Sequence, residues 1–176
     1  MIHPDLAVAH VSDVVGRGVV ALRPIPKGTI VWARDALDAS WPLASVLTWP
    51  DVWRPILSHT ALRVRDEVWQ PWDHARLMNH ACDPNAAGTE FGFEVALRDI
   101  QAGEQVTNDY ADCALPFETP FACTCGHVRC RGSKLFTATP DERQTLSQRF
   151  VAARAAMRDV PQPLMQLLER DLASLD

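Results

Sequence analysis

From Val14 to Trp32 short apolar runs are broken at close intervals by turn formers: Gly16-Arg17-Gly18, Val19 to Leu22, Pro26-Lys27-Gly28, then Thr29 to Trp32. Runs this short, bounded by glycine and proline, predict strands joined by turns. The pattern returns 75 residues on, where Ala96-Leu97-Arg98-Asp99-Ile100-Gln101-Ala102-Gly103 echoes Ala21-Leu22-Arg23-Pro24-Ile25-Pro26-Lys27-Gly28. Two similar strand-turn-strand units are therefore expected. Between them, residues 38–75 hold five of the six tryptophans (Trp41, Trp49, Trp53, Trp69, Trp72) among scattered prolines. That composition predicts a compact, irregular insert with short helices, its rings forming a satellite core or lining a substrate groove.

The period changes after residue 138. Thr139-Pro140-Asp141-Glu142 has a capping hydroxyl, proline at the first helical position and acids in the first turn, which together predict a helix start. Leu146, Phe150, Ala153 and Met157 then share one face, and Pro161 and Pro163 predict an end near Val160. A last amphipathic helix is expected through Leu164, Leu167, Leu168 and Leu172. These two helices can pack on the domain or mediate a homodimer.

Composition narrows the class. With 47% hydrophobic residues, 176 residues are enough for one core without disulfide staples. No apolar run approaches the length of a membrane span, and the start of the chain lacks a secretory pattern, so a cytoplasmic protein away from membranes is expected. A net charge of -5 gives no basis for broad nucleic-acid binding and suits a cationic peptide partner better. Five cysteines in a reducing compartment point to metal ligands or buried thiols, since an odd number cannot all pair.

Cys123, Cys125 and Cys130 crowd into eight residues and offer three thiolates to one metal. A fourth ligand must come from elsewhere in the chain, with Cys82, His127 and Cys113 as candidates. Arg76-Leu77-Met78-Asn79-His80-Ala81-Cys82-Asp83-Pro84-Asn85 and Gly103-Glu104-Gln105-Val106-Thr107-Asn108-Asp109-Tyr110 precede this cluster. Together with Gly16-Arg17-Gly18, these ordered segments, spanning about residues 14 to 132, resemble the SET-domain protein-lysine methyltransferases that carry a cysteine-rich post-SET tail.

The resemblance implies a mainly β fold: a β-clip-like arrangement of several small sheets with a pseudoknot, followed by C-terminal α-helices. It implies a SET domain over 1–119, with the tryptophan-rich insert at about 38–75, a post-SET zinc loop over 120–136 and a helical extension over 137–176. It further implies an enzyme that moves a methyl group from S-adenosyl-L-methionine to the lysine side chain of a protein or peptide. Gly16, Arg17, Gly18, Arg76, Asn79, His80 and Tyr110 would meet that cosubstrate, and Tyr110, the sole tyrosine, would stand at the catalytic position. Cys82 would join Cys123, Cys125 and Cys130 around a structural zinc ion.

Two positions depart from the family pattern. Asn108, two residues before Tyr110, stands where an aromatic residue commonly helps set the number of methyl groups added, and Ile30 to Arg34 lacks a tyrosine and acid found near the groove of many relatives. Trp32 is the candidate replacement wall, so Trp32, Asn108 and Tyr110 are expected along the substrate channel. The other readings are a SET-fold module that binds peptide or cofactor without transfer, and a zinc scaffold whose thiols respond to oxidation.

Overall fold

The computed structural model describes residues 1–89, 91–111, 113–118 and 121–168. Among the described residues, ten short strands form four small sheets. β1 (Leu6–Ser12) and β2 (Gly16–Ala21) make an antiparallel hairpin, closed by a turn in which Gly16 adopts φ +77°, a conformation costly for any residue with a Cβ. β3 (Ile30–Ala33) begins a sheet completed by two later strands. Strands contribute 26% and helices 27% of the described residues, the helical part lying mostly at the C-terminal end and in the insert.

The two echoing segments pair with each other. Ile25 and Ile100 exchange both backbone hydrogen bonds at 2.9 Å, the Gly28 N–H donates to the Ala96 carbonyl at 2.8 Å, and the Gly103 N–H donates to the Ala21 carbonyl at 2.7 Å. Each unit thus closes the other in matching register. Ile25 and Ile100 are buried in the main core with Val19, Val31, Trp32 and Val106.

The insert is more ordered than its composition suggests. β4 (Ala39–Pro42), β5 (Leu62–Val64) and β6 (Glu67–Gln70) form an antiparallel sheet of order β4-β6-β5, with α1 (Leu43–Val46) and α2 (Arg54–Thr60) between β4 and β5. The strands are three or four residues long, too short for an alternating pattern to stand out among tryptophans and prolines. Trp41 and Trp49 pack edge to face over a satellite core built on Val46, Leu57, Val68 and Leu115. Trp69 joins the main core, and Trp53 and Trp72 remain substantially exposed.

Two further pairings position the chemistry. β8 (Ala86–Gly88) and β9 (Phe93–Ala96) extend β3 into a sheet of order β3-β9-β8. The two-residue strands β7 (Asn79–His80) and β10 (Thr107–Asn108) run parallel, Thr107 beside Asn79 and Asn108 beside His80, which joins segments far apart in sequence.

α3 (Pro140–Ala156) starts as expected: the Thr139 hydroxyl accepts from the Glu142 N–H and the Glu142 carboxylate accepts from the Thr139 N–H. A 3-10 turn carries it to Asp159. Leu146, Phe150, Ala153 and Met157 pack on Ala87, Val95 and Leu97, while Leu164, Leu167 and Leu168 cover Ile30 and Ala33. These apolar side chains pack within the described chain; Leu172 lies outside the described residues. No helix among the described residues is long and apolar enough to cross a membrane.

Candidate active site and cysteine cluster

The parallel β7–β10 pair sets Tyr110 two residues past the end of a strand whose partner ends in His80. The Tyr110 hydroxyl donates to the Met78 carbonyl oxygen at 2.5 Å, so its lone pairs remain to accept from something else. Burial, reinforced by the neighbouring acidic groups Cys113, Glu118 and Glu94, pushes the phenol well above its ordinary value, and Tyr110 stays protonated across the physiological range.

His80 holds the segment from behind. Its Nδ1 accepts the Tyr110 N–H at 3.2 Å, and its Nε2 lies 3.2 Å from Cys82 Sγ. An Nδ1 that accepts leaves the ring hydrogen on Nε2, directed at the sulfur. Burial keeps the imidazole below its ordinary pKa, against the pull of the Asp109 carboxylate 3.8 Å away.

A cavity of about 540 Å³ opens in front of Tyr110, with Trp32, Arg76, Met78, Glu94 and Asn108 also on its wall. All three expected channel residues therefore line one space, as does Arg76. Gly16, Arg17, Gly18, Asn79 and His80 do not line it. Of these, Arg17, Gly18 and Asn79 form a separate packed group: Asn79 Nδ2 donates to the Arg17 carbonyl at 3.0 Å and to Gln105 Oε1 at 2.6 Å, tying the glycine turn to β7. A Cβ on Gly18 would lie 2.4 Å from Gln105 Oε1 and 2.5 Å from Asn79 Nδ2, so only glycine permits this packing. With both Nδ2 hydrogens committed, the Asn79 Oδ1 acceptor is the atom left to meet a ligand.

The tryptophans of the insert do not reach the large cavity; Trp41, Trp49 and Trp53 border a smaller one of about 240 Å³. The residue that sequence reasoning missed is Glu94. It is 8% exposed, and its Oε2 accepts from Asn108 Nδ2 at 2.8 Å. A single acid in the apolar run Phe93-Glu94-Val95-Ala96 was the available signal, because Glu94 shares a face with buried Ala96. Burial raises its pKa to about 7, with the Asn108 hydrogen bond opposing and the Asp73 charge adding to the rise.

The sulfurs of Cys82, Cys123, Cys125 and Cys130 all lie within 4.8 Å of one another. Cys82 and Cys123 are 3.8 Å apart, close to the edge of a tetrahedron with Zn–S bonds of about 2.3 Å. The donor set fits a closed structural zinc site. Of the competing donors, Cys113 contacts the Asp109 carbonyl and His127 lies 3.8 Å from the Asp83 carboxylate, outside the cluster. Arg131, beside the last cysteine, ties the cluster to the site a second time: its N–H donates to Cys82 Sγ at 3.3 Å, and its guanidinium pairs with the Asp109 carboxylate next to Tyr110.

Residues 16–111 match the family model described as SET domain. The chain belongs to the SET-domain family. The segment matched covers the glycine turn, the β7–β10 pair and Tyr110. Among solved structures the chain is similar to the methyltransferase domain of human histone-lysine N-methyltransferase SETMAR, with a TM-score of 0.55 and 20% identity. The alignment covers 79% of this chain and 60% of that one, so the SET-domain chain described here spans less than two thirds of its solved counterpart. The likeness carries the fold: small sheets with C-terminal helices. The four-cysteine cluster, with Cys82 inside the matched segment and the other three after it, agrees with the cysteine-rich tail of the family's methyltransferases.

Proposed function

We propose that this SET-domain protein is a protein-lysine N-methyltransferase that uses S-adenosyl-L-methionine and carries a structural zinc ion on its cysteine loop. One observation carries the reading. A protonated, anchored phenol stands on the wall of a cavity, on a segment pinned by His80 and by the Arg131–Asp109 pair to the metal-binding thiols.

Methyl transfer from a sulfonium needs the amine nitrogen, the methyl carbon and the sulfur nearly in line, so positioning supplies much of the rate. Tyr110, committed as a donor to Met78, offers lone pairs that orient the amine hydrogens and the polarised methyl. Asn79 Oδ1 suits the ammonium group at the amino-acid end of the cosubstrate, and the glycine turn behind it fixes that amide. Zinc would clamp the loop that walls the site, with no open position for chemistry at the metal. Five free thiols fit a reducing, cytoplasmic setting.

The Asn108–Glu94 pair favours a second reading, a module that binds a basic peptide without transfer. Incubation with methyl-labelled S-adenosylmethionine and a pool of lysine-containing basic peptides decides between them. Label on lysine is the expected outcome; cosubstrate binding with no labelled residue would leave the binding module.

A further inference from the structure

An amine must be neutral to attack a methyl group, and a free lysine, with a pKa near 10.4, is deprotonated in only about one molecule in a thousand at pH 7. The cavity wall holds few groups that can take the extra proton. Tyr110 is protonated and donates to Met78, and Asp109 is paired with Arg131. Glu118 lies on the wall as a brace of its own loop, its Oε1 accepting the Leu115 N–H, Glu142 is committed to the Thr139 cap, and His59 is an exposed side chain. Glu94 remains.

Its setting is built for a cationic guest. On the sheet Glu94 lies between two cross-strand partners, Trp32 on β3 and Gly88 on β8. Gly88 contributes no side chain, leaving an open slot beside the carboxylate, and a Cβ there would come 3.6 Å from Glu94 Oε1. From the β10 side Asn108 Nδ2 holds Oε2, which leaves Asn108 Oδ1 as a buried acceptor with no partner. Such an atom is costly in an apolar interior and is retained where a ligand completes it. The charged group that bears on Glu94 is Asp73, another anion, and the nearby phenol of Tyr110 is neutral. Glu94, Asn108 Oδ1 and the Tyr110 oxygen are therefore three acceptors on one cavity, matched in number to the three hydrogens of a primary ammonium group.

We propose that Glu94 is a catalytic residue that receives the ammonium group of the substrate together with Asn108 and takes its proton before methyl transfer. The inference rests on the methyltransferase reading. The Glu94 carboxylate forms an O–H bond as one ammonium N–H breaks, giving a neutral amine and a neutral carboxylic acid. The amine lone pair then forms the N–C bond to the sulfonium methyl while the C–S bond breaks with its electron pair on sulfur. Methylated ammonium leaves, and Glu94 returns its proton to water. A buried carboxyl near 7 narrows the gap to lysine from about six pK units to about three, which makes the transfer feasible before the cosubstrate charge lowers the amine further.

The test compares wild type, Glu94→Gln and Glu118→Gln, each with its zinc content and melting profile checked. With a lysine peptide from the labelled pool, kcat of the wild type should rise through an inflection near pH 7. Glu94→Gln should lose on the order of 100-fold at pH 7, lose the inflection, and recover toward wild type as the pH approaches that of free lysine. Glu118→Gln should keep the inflection. An unchanged profile in Glu94→Gln would overturn the assignment. Should the wild type methylate nothing, the methyltransferase reading fails separately, and n-butylammonium binding, followed through the Trp32 indole N–H resonance at pH 8, decides the remaining part. Binding lost in Glu94→Gln supports an ammonium site; equal binding by both proteins removes it.

Discussion

The backbone N–H of Tyr110 donates to Nδ1 of His80, and the opposite ring nitrogen faces Cys82 Sγ. One imidazole therefore joins the segment that carries the phenol to the thiol cluster. The Arg131–Asp109 ion pair makes the same connection on the neighbouring residue. A metal bound by the cysteines would stiffen the position of Tyr110 through two independent links, which ties a structural ion to catalysis without any coordination of substrate.

His80→Ala should lower zinc affinity by about ten- to a hundredfold, as expected when a group that hydrogen-bonds a metal ligand is lost. Competition with a chromogenic chelator reads this directly. Cys125→Ser should bind no stoichiometric metal, and its amides between residues 123 and 132 should exchange with solvent faster while those of Ile25 and Ile100 stay protected in the core. A zinc affinity of His80→Ala equal to that of the wild type would remove the coupling.

Tyr110→Phe should keep the fold. It deletes one hydrogen bond, to Met78, worth about 1 kcal/mol, so the melting temperature should move by only a few degrees. Methyl transfer should fall by on the order of 100-fold or more, because an oxygen positioned in a water-poor site is lost. A steady-state comparison with the same peptide checks it, and an unimpaired variant would exclude a catalytic role for the phenol.

Much of this site could be read from the residues alone. The capped helix beginning at Thr139, the strand-turn echo and the thiol spacing each depend on local chemistry that the sequence displays. The pairing of the echoed units through Ile25 and Ile100 is a long-range event with no local signature, although their equal patterns suit reciprocal bonding. The insert's sheet was hidden because its strands are too short to show a period, and their register depends on Trp69 and Val68 packing against separate cores. Glu94 was passed over for a related reason: a lone acid in a short strand points to either face until the neighbouring strands are known.

Gly18→Ala should be more damaging than Gly16→Ala. At Gly18 the added carbon would overlap Gln105 Oε1, Asn79 Nδ2 and Val11 Cγ2, so the Asn79 side chain must move, at about 1–3 kcal/mol. At Gly16 the space is open and only the left-handed φ resists, at about 1 kcal/mol. Denaturant midpoints give the stability order. Calorimetric titration with S-adenosylmethionine should show weaker binding for Gly18→Ala, because the Asn79 acceptor is displaced, and near-normal binding for Gly16→Ala.

Glu94 also gives stability a pH dependence whose sign opposes its role in activity. Its folded pKa is raised from 4.5 to about 7, so the folded state holds the proton more tightly than the unfolded chain does. The stabilisation from this group is fully present below pH 4.5 and is lost as the pH rises toward 7, a change of about 3 kcal/mol. Glu94→Gln keeps an acceptor for Asn108 and has no carboxylate to ionise, so it should be more stable than wild type above pH 7. The difference should vanish near pH 4. Urea unfolding across that range measures it, and parallel curves for the two proteins would show that the carboxyl of Glu94 titrates as if it were exposed.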